Sequence, residues 1–368
     1  MADTKRECSE GIYQPSCEWA SDIGKCVAID CIAFPAKCKK IVFYNRVPKT
    51  GSAAMTAAME VAAERSEEVW TQPEDLWKQY QWFGYTFKGR YVLNAAYRWN
   101  KPQKDEEVER YCKFFTKLGT QAPGVYVLHC PFLDFPTICP DAPYQKLNTT
   151  YVFINQLRDP ASRLVSHLLF RQSCVCDTSM PRCRSQSKQW EADNRDMSKK
   201  TYCGWQANGL IADAITSDDK GNLNIYTTYF CGLSGEPGSR FYCGYRPGSP
   251  EALRIAKVNM QRHFAWVGIL EEPALSYETF SATLPSFVGP GLFDTPGHVV
   301  HPGDAHDPNA PQNRSALAPD TENALKKHLA NDYKLYQYAT ELLHHRSIKL
   351  NPAHTGAVPN MPPSLQDI

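Results

Sequence analysis

Four short runs of apolar, mostly β-branched or aromatic residues constrain this chain more than anything else in it. They are Ile41-Val42-Phe43-Tyr44, Val125-Tyr126-Val127-Leu128, Tyr151-Val152-Phe153-Ile154 and Phe264-Ala265-Trp266-Val267-Gly268-Ile269. Each is near-continuous rather than alternating, the pattern of a strand covered on both faces. Helix-forming stretches lie between and after them: 53–65, 161–171 with Pro160 in its first turn, and 273–284. A long helix is expected over 320–346, capped by Asp320 or Thr321. Strands alternating with helices predict an α/β fold, a central parallel sheet flanked by helices. With 42% hydrophobic and 21% charged residues among 368, a sizeable core is expected, here over 41–350. The cysteine-rich 1–40 reads as a stapled stem or cap, and the Pro-rich 351–368 as a frayed tail.

The 14 cysteines include five early ones (Cys8, Cys17, Cys26, Cys31, Cys38) and a cluster at Cys174, Cys176 and Cys183. An even, clustered set predicts disulfides formed in an oxidising compartment. Zinc is the rival reading, but paired C-x-x-C knuckles are missing and Cys174-Val175-Cys176 is too tight for the common pattern. Sequons at Asn148 and Asn313 agree with a lumenal or secreted protein. There is no run of 18 apolar residues, and Met1 to Arg6 lacks the apolar core of a signal peptide. The expectation is a lumenal fragment or a missing true N-terminus.

Two segments carry anion-binding chemistry. Arg46-Val47-Pro48-Lys49-Thr50-Gly51-Ser52 joins the first strand to a helix. A loop opening a helix presents free N–H groups and the positive end of the helix dipole. Arg46 and Lys49 add charge, Thr50 and Ser52 add hydroxyl donors, and Gly51 permits close backbone approach. This describes a phosphate or sulfate cradle, or equally a solvated basic turn; it is not the G-x-x-x-x-G-K-[ST] motif of nucleotide kinases. The second segment, Arg158-Asp159-Pro160-Ala161-Ser162-Arg163-Leu164-Val165-Ser166, puts Arg158 beyond the carboxyl end of a strand, where open α/β sheets bind ligands. On its own it is as consistent with a helix start in which Arg158 and Asp159 form a surface ion pair.

Together the two segments resemble the PAPS-dependent carbohydrate sulfotransferases, PAPS being 3′-phosphoadenosine-5′-phosphosulfate. The wording Tyr44-Asn45-Arg46-Val47-Pro48-Lys49-Thr50 is most similar to the heparan sulfate 2-O-sulfotransferase and uronyl 2-O-sulfotransferase group. His129-Cys130-Pro131-Phe132-Leu133-Asp134-Phe135, Tyr229-Phe230-Cys231-Gly232 with Cys243, and Val267-Gly268-Ile269-Leu270-Glu271-Glu272 with Leu284-Pro285-Ser286-Phe287 resemble further segments of that group, in colinear order over 41–346. The resemblance implies a P-loop-like sulfotransferase fold with PAPS as co-substrate and no metal. It assigns the 5′ end to Arg46, Lys49, Thr50, Gly51 and Ser52, and the 3′-phosphate to Arg158 and Ser166, with Arg314 a weaker candidate. Lys49 would stabilise the leaving phosphate. His129 would be the general base, whereas alone it reads more readily as a core histidine. The resemblance also implies a Cys231–Cys243 disulfide, a homo-oligomer (a trimer), and a type II membrane protein of the Golgi lumen, secretion being the alternative.

The chain departs from the group in places. Ala53-Ala54 stand where hydroxyl residues are usual, Val127 where a second histidine is frequent, and His167 where an aromatic is favoured; 174–203 does not match the substrate loop in detail. Residues 171–200 carry seven basic residues (Arg171, Arg182, Arg184, Lys188, Arg195, Lys199, Lys200) against four acidic ones, a balance of +3 in a chain of net charge +1. A local basic loop without a global field suits an anionic polysaccharide acceptor and no nucleic acid, though it reads almost as readily as a solvated loop. The expected reaction is sulfuryl transfer to a sugar hydroxyl, the 2-O position of a uronic acid. Transfer to another sugar hydroxyl, and an inactive glycosaminoglycan-binding relative, are the alternatives. His298, His301 and His306 with Asp304 and Asp307 raise a minor metal-site reading.

Overall fold

The structure is a computed structural model. It describes residues 17–20, 25–28, 39–51, 55, 124–128, 132, 149–179, 183–184, 187–188, 190–191, 198–216, 223–234, 241–242, 248–284 and 317–350.

Within the cysteine-rich N-terminal stretch, β1 (Cys17–Ala20) and β2 (Lys25–Ala28) pair antiparallel. The four apolar runs become β3 (Lys39–Asn45), β4 (Gly124–Leu128), β5 (Thr149–Leu157) and β8 (Phe264–Ile269). They form one sheet in the order β4-β3-β5-β8, every neighbour parallel, with a register irregularity at Phe153/Ile154. Phe43, Phe153, Ile154, Phe264, Trp266 and Ile269 are buried, as near-continuous apolar strands require.

The helices are α1 (Pro160–Cys176), α2 (Lys199–Cys203), α3 (Ala207–Thr216), α4 (Ile225–Cys231), α5 (Pro250–His263), α6 (Pro273–Thr283), α7 (Pro319–His328) and α8 (Ala330–Leu350). Proline opens α1, α5, α6 and α7, where its missing N–H costs nothing and its φ is already helical. Asp159 caps α1 by accepting from Ser162 N at 2.8 Å, and Ser249 caps α5 by accepting from Ala252 N at 3.1 Å. After α4, β6 (Leu233–Ser234) and β7 (Phe241–Tyr242) form a short antiparallel pair.

Two expectations are corrected. The single helix over 320–346 is two helices, α7 and α8, parted at Leu329, which is fully buried among Leu164, Leu168, Leu210 and Leu325. Its cap is neither Asp320 nor Thr321 but Ala318, with Pro319 first and Asp320 and Glu322 in the opening turn. Proline at the first helical position moved the start forward, and the acidic residues serve the dipole instead.

The zinc reading of the cysteine cluster is excluded by two disulfides, Cys174–Cys183 and Cys176–Cys203. The first folds the chain back onto the end of α1, and the second ties that end to α2. Cys231 is also disulfide-bonded. Cys243 lies outside the described residues, but β6–β7 pairs Leu233 with Tyr242, bringing the chain on either side of these two cysteines together. The histidines at 298, 301 and 306 lie outside the described residues. Among the described residues, no helix is long and apolar enough to cross a membrane.

Candidate functional site

The strand order decides where a ligand can enter. The connection leaving β3 runs toward β4 on one side, and that leaving β5 runs toward β8 on the other. Connections that diverge from adjacent parallel strands leave a crevice at their carboxyl ends. Those ends continue into 46–51 and 158–159, the two segments singled out in the sequence.

The first loop is tightly wound. Arg46 N donates to Tyr44 O at 2.9 Å, and the buried Thr50 hydroxyl donates to Val47 O at 3.0 Å. The Thr50 side chain therefore braces the loop from within. Lys49 has φ 69° and Gly51 φ 79°, both left-handed. For lysine that region costs energy, and such outliers persist where the surroundings over-determine them. Met55 N donates to Gly51 O at 3.4 Å, the i to i−4 spacing of a helix start. A Cβ on Gly51 would lie 2.8 Å from Leu270 Cδ1 and 3.6 Å from Gln156 Nε2, so the loop rests directly on the ends of β5 and β8. Burial holds the Arg46 guanidinium below its usual pKa, opposed by the nearby Tyr44 and Tyr229 hydroxyls.

The second segment is held at almost every main-chain polar group. Leu270 N donates to Leu157 O at 2.8 Å. The Tyr226 hydroxyl donates to Arg158 O at 2.5 Å and accepts from Arg158 N at 3.2 Å. Asp159 N donates to Glu271 Oε1 at 2.9 Å, and Arg163 N to Asp159 O at 2.9 Å. The Asp159 carboxylate caps the helix and also accepts from the Tyr333 hydroxyl.

The first loop reaches the helix that the second segment opens. Lys49 Nζ lies 4.6 Å from the centre of the Phe170 ring, on α1. Phe170 and Ser166 are four residues apart and share a helix face, so the Lys49 ammonium is brought to the Ser166 side of α1. Ser166 is half-buried, as is His167 beside it. Ser52, His129 and Arg314 lie outside the described residues. Near His129, Leu128 pairs with Asn45 at the sheet edge from which Arg46 departs. Three residues on, Phe132 is buried, donates its N–H to Tyr229 O at 2.7 Å and stacks edge-on with Phe153 at 5.0 Å. Its carbonyl oxygen lies 1.8 Å from where a Cβ on Gly232 (φ 56°) would stand, so only glycine fits there.

Several residues at this site went unread in the sequence. Gln156 is buried with its Oε1 lacking a hydrogen-bond partner, beside Gly51. Its signal was the polar pair Asn155-Gln156 interrupting an apolar strand. Tyr226 and Asp332 left none, because their partners lie far along the chain. A positive-φ loop opening a helix and basic side chains from two strand ends fit a ligand with two separated anionic groups, as PAPS is. Among the described residues, no group of three or more His, Cys, Asp or Glu is placed to hold a metal ion.

No protein-family profile matches the chain. Curated proteins do. Heparan sulfate 2-O-sulfotransferase 1 of Mus musculus is 28% identical over 250 residues, 67% of this chain and 55% of that protein. The Homo sapiens protein of the same name is 27% identical over the same shares. Heparan sulfate 2-O-sulfotransferase hst-2 of Caenorhabditis elegans is 25% identical over 67% of this chain and 61% of its own length. The chain thus spans a little over half the length of the curated relatives it matches. In agreement with the resemblance carried by its motifs, the chain is similar to heparan sulfate 2-O-sulfotransferases over 67% of its length.

Proposed function

We propose that this chain is a PAPS-dependent carbohydrate O-sulfotransferase of P-loop-like sulfotransferase fold, acting on the 2-hydroxyl of a uronic acid in an anionic polysaccharide such as heparan sulfate. The observation that carries this reading is the placement of the two basic loops at the carboxyl ends of the adjacent strands β3 and β5, with Lys49 lying over Phe170 of α1. The relatives named above, each called a heparan sulfate 2-O-sulfotransferase, support the chemistry. A Golgi-lumenal, trimeric protein with its catalytic domain over 41–350 completes the reading.

PAPS supplies an activated sulfuryl group. Arg46, the Thr50 and Gly51 main chain and Ser52 hold its 5′ end. Arg158 and Ser166 hold the 3′-phosphate, with Arg314 in support. His129, neutral near pH 7, accepts the acceptor hydroxyl's proton. The acceptor oxygen bonds to sulfur as the bond from sulfur to the bridging oxygen breaks, and 3′-phosphoadenosine-5′-phosphate leaves with the bond's electrons. Lys49 neutralises the charge growing on that oxygen. The basic stretch 171–200, stapled by Cys174–Cys183 and Cys176–Cys203, meets the polysaccharide.

Incubation with radiolabelled PAPS and a panel of selectively desulfated polysaccharides tests the reading. Label on 2-O-desulfated heparan sulfate, absent with the fully 2-O-sulfated chain, is the expected result. Binding of PAPS and heparin with no transfer to any chain would make the protein an inactive relative.

A further inference from the structure

We propose that Tyr226, seconded by Glu271, is a positioning residue that clamps the Arg158 turn and so sets its grip on the nucleotide's 3′-phosphate. This rests on the reading of Arg158 given above.

The argument starts from what a strand end lacks. Past Leu157 the chain leaves the sheet ladder, and its peptide groups need new partners. A single hydroxyl, Tyr226 Oη, both donates to Arg158 O and accepts from Arg158 N. Tyr226 is itself fully buried, and its own N–H donates to Asp332 Oδ2 at 3.2 Å, so the clamp is anchored in α8. On the other side of the turn Glu271 bridges Asp159 N and the Tyr336 hydroxyl, each at 2.9 Å, with Tyr336 also from α8. Two links from one helix thus converge on consecutive peptides, 158 and 159. Anion recognition by a guanidinium depends on direction, and a displacement of a fraction of an ångström in its base is felt at its tip.

The two links are unequal. The Tyr226 bonds are shielded from water, so their loss is felt almost in full. Glu271 is exposed, and water can replace its bond to Asp159 N. Tyr226→Phe is therefore expected to weaken 3′-phosphoadenosine-5′-phosphate binding by about three- to tenfold, and Glu271→Ala by about twofold. Adenosine-5′-phosphosulfate, which lacks the 3′-phosphate, should bind both variants as it binds wild type.

The test is calorimetric titration of the full chain with both nucleotides, for wild type, Tyr226→Phe and Arg158→Ala. Tyr338→Phe is the control, a buried tyrosine whose hydroxyl is held by Gln261 Oε1 at 3.0 Å instead. The expected result is selective loss of the 3′-phosphorylated ligand in Tyr226→Phe, a larger selective loss in Arg158→Ala, and none in Tyr338→Phe. Unchanged affinity in folded Tyr226→Phe, or equal loss of both nucleotides, overturns the clamp while leaving Arg158 in its role. Unchanged affinity in Arg158→Ala overturns the role of Arg158 and the clamp with it. If Tyr226→Phe does not fold, Glu271 decides: loss in Glu271→Ala restored in Glu271→Gln, which still accepts from Asp159 N, supports the clamp, and no change in either overturns it.

Discussion

Asp332, at the start of α8, caps helix α4 across 106 residues of sequence by accepting from Tyr226 N at 3.2 Å. Its other oxygen takes Thr227 N at 3.0 Å and the Thr227 hydroxyl at 2.9 Å. The residue at the helix's own cap position, Asn224, makes no side-chain cap bond. Burial raises the carboxyl's pKa from 3.8 to about 6, against the Thr227 and Tyr226 hydrogen bonds and the nearby buried Arg163, which lower it.

Asp332→Ala should therefore destabilise the protein by about 2–4 kcal/mol, because it orphans buried donors and deprives Arg163 of a countercharge. Urea denaturation measures it. The pH dependence has a definite sign. A carboxyl with a raised folded-state pKa binds its proton more tightly when folded, so its contribution favours the fold at low pH and declines as pH rises from 3.8 to about 6. The stability difference between wild type and Asp332→Asn, which cannot titrate, should fall across that window by up to roughly 3 kcal/mol and stay level above it. A flat difference from pH 4 to 7 would contradict the buried, proton-binding carboxyl.

Gly51→Ala separates space from backbone. The new methyl would meet Leu270 Cδ1 at 2.8 Å, but that is the far end of a flexible side chain. The left-handed φ of 79° is not so easily relieved and costs an alanine about 1–2 kcal/mol. Adding Leu270→Ala should therefore fail to restore the loss seen in Gly51→Ala. Full recovery in the double variant, by thermal or urea unfolding, would show that packing and not backbone fixes the loop.

Peptide mapping without reduction should recover Cys174 joined to Cys183 and Cys176 to Cys203. The latter closes a segment of sequence separation 27, and its removal in Cys203→Ser should cost about 3–4 kcal/mol. Cys231 should be recovered with Cys243. Recovery of Cys203 joined to neither Cys174 nor Cys176 would refute the stapling of α1 to α2.

His129→Ala should cut turnover by about a hundredfold to ten-thousandfold, with nucleotide affinity near wild type. The wild-type rate should fall as the pH is lowered and the imidazole takes up a proton, since imidazolium cannot accept another, and that limb should vanish in the variant. His167→Ala, on α1, is the comparison. Full turnover in His129→Ala with loss in His167→Ala would reassign the base.

The four sheet strands were legible because burial on both faces writes itself as a local apolar run. The Arg158 turn was legible because strand, cap and Pro160 are consecutive in the chain. Helix α5 carried an equally local signal, Ser249-Pro250-Glu251, that strand-centred reading passed over. Helix α4 did not: Ile225-Tyr226-Thr227-Thr228-Tyr229-Phe230-Cys231 is β-branched or aromatic at every position before its final cysteine, and local propensity favours a strand. The break at Leu329 was hidden for the converse reason, since helical residues continue on both sides. What parts α7 from α8 is Leu329 docking into a core supplied mainly by α1 and α3. At the site, cradle and turn could be read but not their supports, because Tyr226, Glu271 and Asp332 act across 68, 112 and 106 residues.

All seven residues of α4 are buried, and its ends are finished by other elements. Asp332 covers the first N–H groups, and Asn259 Nδ2 donates to the last carbonyls, Phe230 O at 2.9 Å and Cys231 O at 3.0 Å. A helix of two turns with poor intrinsic propensity cannot nucleate by itself. Its stability is therefore tied to the docking of α5 and α8, which supply the partners of its end groups. Protection of the Tyr226 and Thr227 amides against hydrogen exchange would then track the attachment of a helix a hundred residues away.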